Sequence, residues 1–193
     1  MLKRIWFCFV PFSSLPVWGL DWELVPITPS CRAGVFCSRD EIPKRVREAG
    51  IAERLSRMAG KAQRLNGSVS LAFMSFTEES LFQSLCSYAG EGLKVEGFFD
   101  SKAGPPKGLG FRLENECQAP GQSNVRVHYM GMPKSGKSVW RLHHNKFFFA
   151  DYGSGEAEVA FGSANLSSNG LSVNFENWNF VKGRAGDPFF ADH

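Results

Sequence analysis

The sequence predicts an α/β domain in which a mixed, mostly parallel β-sheet is flanked by helices. Apolar runs of strand length alternate with amphipathic segments of helix length, and Gly-containing turns separate them. The 18 Phe and 5 Trp among 193 residues supply aromatic side chains for a packed core. Hydrophobic residues make up 43% and charged residues 21%, which excludes a disordered or collagen-like chain.

The first predicted elements form a β-α-β unit behind an opening helix. Apolar residues at helical spacing predict the opening helix, with a break near Gly50, and Thr77 is expected to cap the second helix. In chain order, the helix, strand, helix and strand cover residues 42–65, 68–76, 78–89 and 93–99. Such a unit places its two strands parallel in one sheet.

The second half of the chain is predicted to be rich in strands. Residues 100–123 are rich in Gly and Pro and are expected to form a long loop. The strands predicted after it cover residues 124–130, 139–150, 156–161 and 176–182. A turn over residues 152–155 joins two of them as a hairpin. Asp187-Pro188 signals a helix start close to the last residue, and we expect a shortened C-terminal helix.

Residues 1–19 have the features of an export signal. Lys3 and Arg4 precede an apolar stretch, and small residues stand near Gly19 at a cleavage-like position. The alternative is a buried N-terminal segment of a cytosolic protein. The stretch is too short and too interrupted for a stable membrane span. An export signal predicts a periplasmic or secreted location. The predicted divisions are a signal peptide, an N-terminal extension and one main domain, over residues 1–19, 20–38 and 39–193.

Net charge gives only weak information about partners. It is +3 for the whole chain and falls to +1 once the basic residues of the signal are removed. Any site for a polyanion must therefore be local rather than the product of a strongly basic surface.

Four cysteines remain outside the signal segment, and several pairings among them are open. Cys31 and Cys37 bracket a short loop and are the favoured pair in an oxidising compartment. Cys86 lies on the apolar face of a predicted helix and is interpreted as a buried thiol, while Cys117 is unassigned. The spacing does not fit a zinc site, and no metal site is predicted.

Residues 131–138 formally match a phosphate-binding P-loop pattern. That motif needs a helix after it, whereas the following residues have strand character. We interpret the segment as a basic connector, in which Lys134 and Lys137 contact a polyanionic substrate or are simply solvated.

Reactive residue types cluster between residues 144 and 177. On a strand, His144 and Lys146 share one face, and an imidazole beside an ammonium suits a phosphate. Ser163 and Asn165 add neutral donors at the same spacing, and Glu176 is suited to orient a histidine.

In order and spacing, the motifs H-x-K-x₄-D, G-S-x-N and N-x-E-N resemble those of the phospholipase D superfamily. The resemblance is to its small single-motif members, the secreted bacterial endonucleases and mitochondrial cardiolipin-hydrolase relatives, and it covers residues 42–183. Asp151 and Gly162 would have structural roles. Ten residues separate them, more than is common in the family, and a longer hairpin turn is expected to absorb the difference.

The resemblance implies a role for each motif residue. His144 would be the nucleophile that forms a phosphohistidine, and Lys146 and Asn165 would bind phosphate oxygens. Ser163 would support the phosphate or the histidine network, and Glu176 would orient His144. Neither a metal nor another cofactor is implied.

The same resemblance implies a homodimer, because the chemistry needs two histidines and this chain carries one such motif. The implied function is an exported endonuclease acting on DNA or RNA. The alternatives are a phospholipid phosphodiesterase of the cardiolipin type and an inactive nucleic-acid-binding dimer. His143 and His128 are interpreted as bystanders. Basic residues that could contact a substrate are Lys102, Lys107, Arg112, Arg126, Lys134, Lys137 and Arg141.

Overall fold

The computed structural model describes residues 20–27, 50–100, 108–118, 121–130, 143–167, 170–171 and 176–191. Within these ranges the chain forms a seven-stranded sheet and four helices. The strands are β1 (Asp21–Ile27), β2 (Ser68–Phe73), β3 (Lys94–Asp100), β4 (Val125–Met130), β5 (Lys146–Asp151), β6 (Glu156–Gly162) and β7 (Glu176–Arg184). The helices are α1 (Ile51–Arg64), α2 (Glu79–Gly90), α3 (Leu109–Glu116) and α4 (Pro188–Ala191).

The sheet has the order β1-β7-β6-β5-β2-β3-β4, which confirms the predicted α/β class with a mixed sheet. Parallel pairing joins β2 to β3, as the β-α-β unit predicted, and it also joins β3 to β4. The other four pairs are antiparallel, so the sheet is mixed but not mostly parallel. The β5–β6 connection is too short for a parallel crossover and reverses the chain direction.

Strand β1 was not predicted, although it lies in the segment expected to be an N-terminal extension. It pairs antiparallel with β7 and forms one edge of the sheet. An edge position tolerates Pro26, which cannot donate a ladder hydrogen bond. Glu23 contacts Arg54 of α1 at 2.6 Å, so this strand is also tied to the helical layer.

Helix boundaries follow the glycine signals better than the cap prediction. Helix α1 begins directly after Gly50, whose φ of 62° lies in the left-handed region, while residues 42–49 of the predicted opening helix lie outside the described residues. Thr77 does not cap α2. The N-cap is Glu78, and the Thr77 main-chain N–H donates instead to the Leu166 carbonyl at 2.8 Å.

The predicted loop over residues 100–123 contains helix α3, and this corrects two expectations. Leu109, Leu113 and Cys117 recur at helical spacing and are buried against α2 and β4. Cys117 forms a disulfide with Cys86, so Cys86 is not a free buried thiol. Helix α3 brings the two cysteines together, with Cα atoms 4.4 Å apart. Cys31 and Cys37 lie outside the described residues.

Helices α1, α2 and α3 cover one face of the sheet, which we call the helical face. The main core lies between these helices and the sheet. It includes Leu55, Leu85, Phe148 and Trp178, which are all fully buried. The other face, which we call the second face, carries a smaller cluster in which Phe190 of α4 packs on β6 and β7. This confirms the helix start predicted at Asp187-Pro188, where Asp187 Oδ2 accepts a hydrogen bond from the Arg184 N–H at 3.0 Å.

Candidate active site

The predicted site residues gather where the ends of several strands meet, which we call the reactive edge of the sheet. Strands β2, β3, β4 and β6 end there, and β5 and β7 begin there, as the register of Phe73 with Lys146 and of Gly162 with Trp178 shows. Lys146 and Glu176 are the first residues of their strands, and Ser163 follows β6 directly. Residues far apart in the chain therefore share one edge. Lys134 and Lys137 lie outside the described residues.

His144 and Lys146 are in direct contact. The Lys146 Nζ lies 3.0 Å from Nδ1 and 3.2 Å from Nε2 of His144. It also donates a hydrogen bond to the His144 carbonyl at 2.9 Å. Strand β5 begins at Lys146, later than predicted, so this carbonyl contact, rather than strand alternation, fixes the pair. The imidazole is exposed while the ammonium is buried, so a substrate in solvent meets the histidine first.

Lys146 is one of two charged residues buried in the described part of the chain, and it is 7% exposed. Burial disfavours the charged ammonium and lowers the pKa of Lys146, while the negative charge of Glu176 acts in the opposite direction. Glu176 is therefore electrostatically coupled to Lys146. Orientation of His144 by this carboxylate stays a prediction.

Ser163 and Asn165 lie on a loop that is fastened on both sides. The Ser163 main-chain N–H donates to the Asn177 carbonyl at 3.2 Å, and the Ser163 Oγ accepts from the Asn177 N–H at 3.1 Å. Asn165 Oδ1 accepts from the Ser75 N–H at 3.2 Å. This bond fixes the orientation of the amide, which leaves Nδ2 as the donor for a phosphate oxygen.

The two motif residues expected to be structural occupy tight positions. A Cβ at Gly162 would collide with the Asn177 carbonyl, so only glycine lets β6 approach β7 this closely. Asp151 lies at the opposite end of β5 from Lys146, where its Oδ1 accepts from the Gly153 N–H at 2.8 Å. This contact supports the hairpin turn. The turn lies at the opposite end of β5 and β6 from the site.

Asp100 is a site residue that the sequence analysis missed. It ends β3 at the same edge and is 2% exposed. Its Oδ2 accepts a hydrogen bond from the main-chain N–H of His143 at 2.9 Å, which anchors the backbone next to His144. A carboxylate that ends an apolar strand at the C-terminal edge was the signal for it. The His143 ring is partly buried, and burial lowers its pKa.

Other candidate residues have partners away from the site. His128 lies on the edge strand β4, 2.9 Å from Glu96 and stacked on Phe98. Arg112 belongs to α3, where it contacts Glu116 at 3.0 Å and Glu79 at 3.4 Å. Both observations fit structural roles. Within the described ranges, His, Cys, Asp and Glu do not form a group of three that could hold a metal ion.

The chain is similar to known proteins at the level of family and of fold. The family model described as "Cardiolipin synthase, PLD-like domain" matches residues 55–189, more than half of the chain. No curated protein gives a significant match. In the part of the chain that the structure describes, no helix has the length and apolar character needed to cross a membrane.

Two solved structures share the fold over most of their length. NucT from Helicobacter pylori has 18% identity and a TM-score of 0.57, over 84% of this chain and 85% of that chain. Nuc from Salmonella typhimurium, a phospholipase D family member, has 15% identity and a TM-score of 0.50, over 86% of this chain and 84% of that chain. At these identities the likeness concerns the fold.

Proposed function

The chain belongs to the phospholipase D-like family, and from that premise we propose that it is an exported, metal-independent phosphodiesterase that hydrolyses nucleic acid. The observation that carries the proposal is the contact of Lys146 Nζ with His144 Nδ1 at 3.0 Å. It places a buried cation beside an exposed nucleophile. A phosphate that reaches the imidazole therefore meets a positive charge with little competing water.

The reaction proceeds by two displacements at phosphorus. A ring nitrogen of His144 attacks the phosphate, an N–P bond forms, and the P–O bond to the leaving group breaks. The leaving oxygen takes a proton from His144 of a second copy of the chain. Water then attacks the phosphohistidine, the second histidine removes its proton, and the N–P bond breaks. Lys146 and the Asn165 amide stabilise the charge on the phosphate oxygens.

The homodimer follows from this proton balance. One chain offers one H-x-K pair, and the residue that protonates the leaving oxygen has to face the nucleophile across phosphorus. The His144 side chain is exposed, which a site shared with a second copy requires. Two lysines and two asparagines would then surround one phosphate. The lysines would supply the positive charge that metal ions supply in other nucleases, and the asparagines would donate hydrogen bonds.

Export is supported by the disulfide between Cys86 and Cys117. Disulfides persist in oxidising compartments such as the periplasm and are rare in the cytosol. This bond is independent of the signal-like segment at residues 1–19, and the two features favour the same location.

A phospholipid headgroup is the second candidate substrate, because an apolar surface lies on the second face. Trp22 is 58% exposed and Leu24 is 59% exposed, both on the edge strand β1. Exposed tryptophan and leucine side by side are typical of surfaces that touch a lipid interface. We prefer nucleic acid on the resemblance to small single-motif exported nucleases.

The deciding experiment supplies supercoiled DNA, single-stranded DNA, RNA and cardiolipin vesicles in parallel, with EDTA present. We expect nucleic acid to be cleaved, with the phosphorus bonded to His144 in the trapped intermediate. His144→Ala should lose at least about 10³-fold of the rate, whereas His128→Ala should keep it. Loss of activity in EDTA, or headgroup release without nucleic-acid cleavage, would contradict the proposal.

A further inference from the structure

A cavity of about 380 Å³ opens beside the H-x-K motif. Three of its lining residues belong to the motif or adjoin it, and three are phenylalanines, with Phe147 in both groups. The lining consists of Asn145, Lys146, Phe147, Val159, Phe161 and Phe189. Its size is in the range of small-ligand sites. Carboxylates are not among these lining residues.

The cavity lies on the second face, behind the reactive pair. Side chains alternate along β5, so Phe147 points away from the helical face that receives Lys146 and Phe148. Phe147 is paired with Phe161 of β6 in the register. The floor of the cavity is thus a pair of neighbouring rings. Phe147 directly follows Lys146 in the sequence, and Phe161 lies one residue before Gly162 and two before Ser163.

The position of the Phe161 ring is fixed by its neighbours. The Trp22 ring meets it edge-on, with centroids 6.1 Å apart. The Phe189 ring is tilted against it, with centroids 6.5 Å apart. Trp22 is itself held by a hydrogen bond from its Nε1 to Asn179 Oδ1 at 3.2 Å. Rings held in this way offer a flat surface without a large loss of side-chain entropy on binding.

We propose that this cavity binds the base of a nucleotide next to the scissile phosphate; this rests on the proposed function. Aromatic side chains beside a cationic phosphate site are the combination that binds unpaired bases, because every base has a face that can stack. The exposed Asn145 amide offers a donor and an acceptor to the edge of the base. An acyl chain has no polar group to pair with that amide.

The test compares cleavage of two single-stranded oligonucleotides. One carries normal bases, and the other has abasic sugars on both sides of the scissile phosphate. The variant is Phe161→Leu, which keeps apolar volume but removes the ring. The matched control is Phe98→Ala, which removes a ring from the same sheet face outside the cavity, where it stacks on His128. Thermal melts check that each variant is folded.

We expect the wild type to prefer the oligonucleotide with bases by about ten- to a hundredfold in kcat/KM, which corresponds to the loss of base stacking. Phe161→Leu should lower this ratio by about tenfold, mainly through KM, and Phe98→Ala should leave it unchanged. An unchanged ratio in Phe161→Leu, or an equal fall in Phe98→Ala, overturns the base subsite while nucleic-acid cleavage itself stands.

Two further outcomes separate this proposal from the function on which it rests. If the wild type cleaves neither oligonucleotide, the nucleic-acid function fails and the subsite fails with it. If Phe161→Leu slows headgroup release from cardiolipin vesicles and leaves the oligonucleotide ratio intact, the cavity takes an acyl chain and the base proposal is wrong.

Discussion

The Asp100 carboxylate accepts a hydrogen bond from the main-chain N–H of His143 at 2.9 Å, one residue before His144. Because Asp100 is buried at the end of β3, the bond ties the motif to an interior strand of the sheet. The backbone that carries the imidazole is therefore held by a buried carboxylate. This makes Asp100 a positioning residue.

Replacing Asp100 should impair turnover more than binding. Asp100→Ala removes the acceptor, and we expect kcat to fall by about ten- to a hundredfold with little change in KM. Asp100→Asn keeps an oxygen at the same place and should restore most of kcat. Steady-state kinetics on DNA, corrected for the folded fraction from thermal melts, measures both. Wild-type kcat in folded Asp100→Ala would show that the bond is structural alone.

The alkaline limit of activity should depend on Glu176. Lys146 binds phosphate as an ammonium, and burial lowers its pKa, so activity should decline at a lower pH than the ordinary lysine value. Glu176 raises that pKa, and Glu176→Gln should move the decline to still lower pH. A pH profile of kcat/KM for both proteins measures the shift. If the pH at which kcat/KM declines is unchanged or higher in Glu176→Gln, the coupling of the two side chains is contradicted.

Mixed dimers should reveal whether two copies form one site. If both copies must supply His144, a dimer of one wild-type and one His144→Ala chain is inactive. Refolding equal amounts together should give roughly a quarter of the activity of the same total of wild type, whereas independent sites would give roughly a half. The measurement is DNA cleavage across a series of mixing ratios. Linear dependence on the wild-type fraction excludes the shared site.

Breaking the disulfide should lower the free energy of unfolding and leave the catalytic activity of the folded protein unchanged. Cys86 and Cys117 are separated by 31 residues, and closing such a loop stabilises a fold by about 2–4 kcal/mol. The double change of both cysteines to serine should reduce the free energy of unfolding by that amount, as measured in urea. Reductant should lower the urea midpoint of the wild type in the same direction. Equal urea midpoints for all samples would contradict this.

The sequence allowed the strands to be predicted wherever their pattern was local. Alternation in β4 and the turn between β5 and β6 were sufficient, and they agree with the structure. Strand β1 was missed because an edge strand is defined by its partner β7, which lies far along the chain. Helix α3 was missed because Gly108 and Gly110 obscured the spacing of its apolar residues.

The site was predictable as a set of residue types but not as a network of contacts. The order of His144, Lys146 and the Ser163–Asn165 segment indicated phosphate chemistry. The bond between Asp100 and His143 joins residues of different elements, and only the fold reveals it. The same holds for Cys86 and Cys117, because their proximity depends on a helix that was not expected.

The β5–β6 turn has a practical consequence for work with this protein. Gly153, Ser154 and Gly155 are exposed, and β5 separates them from Lys146 by its whole length, roughly 17 Å. Ser154 is a suitable attachment point for a fluorophore, a fused carrier or a tether to a solid support. A group attached there would point away from His144 and Lys146. A protein immobilised through this turn would keep His144 and Lys146 away from the support.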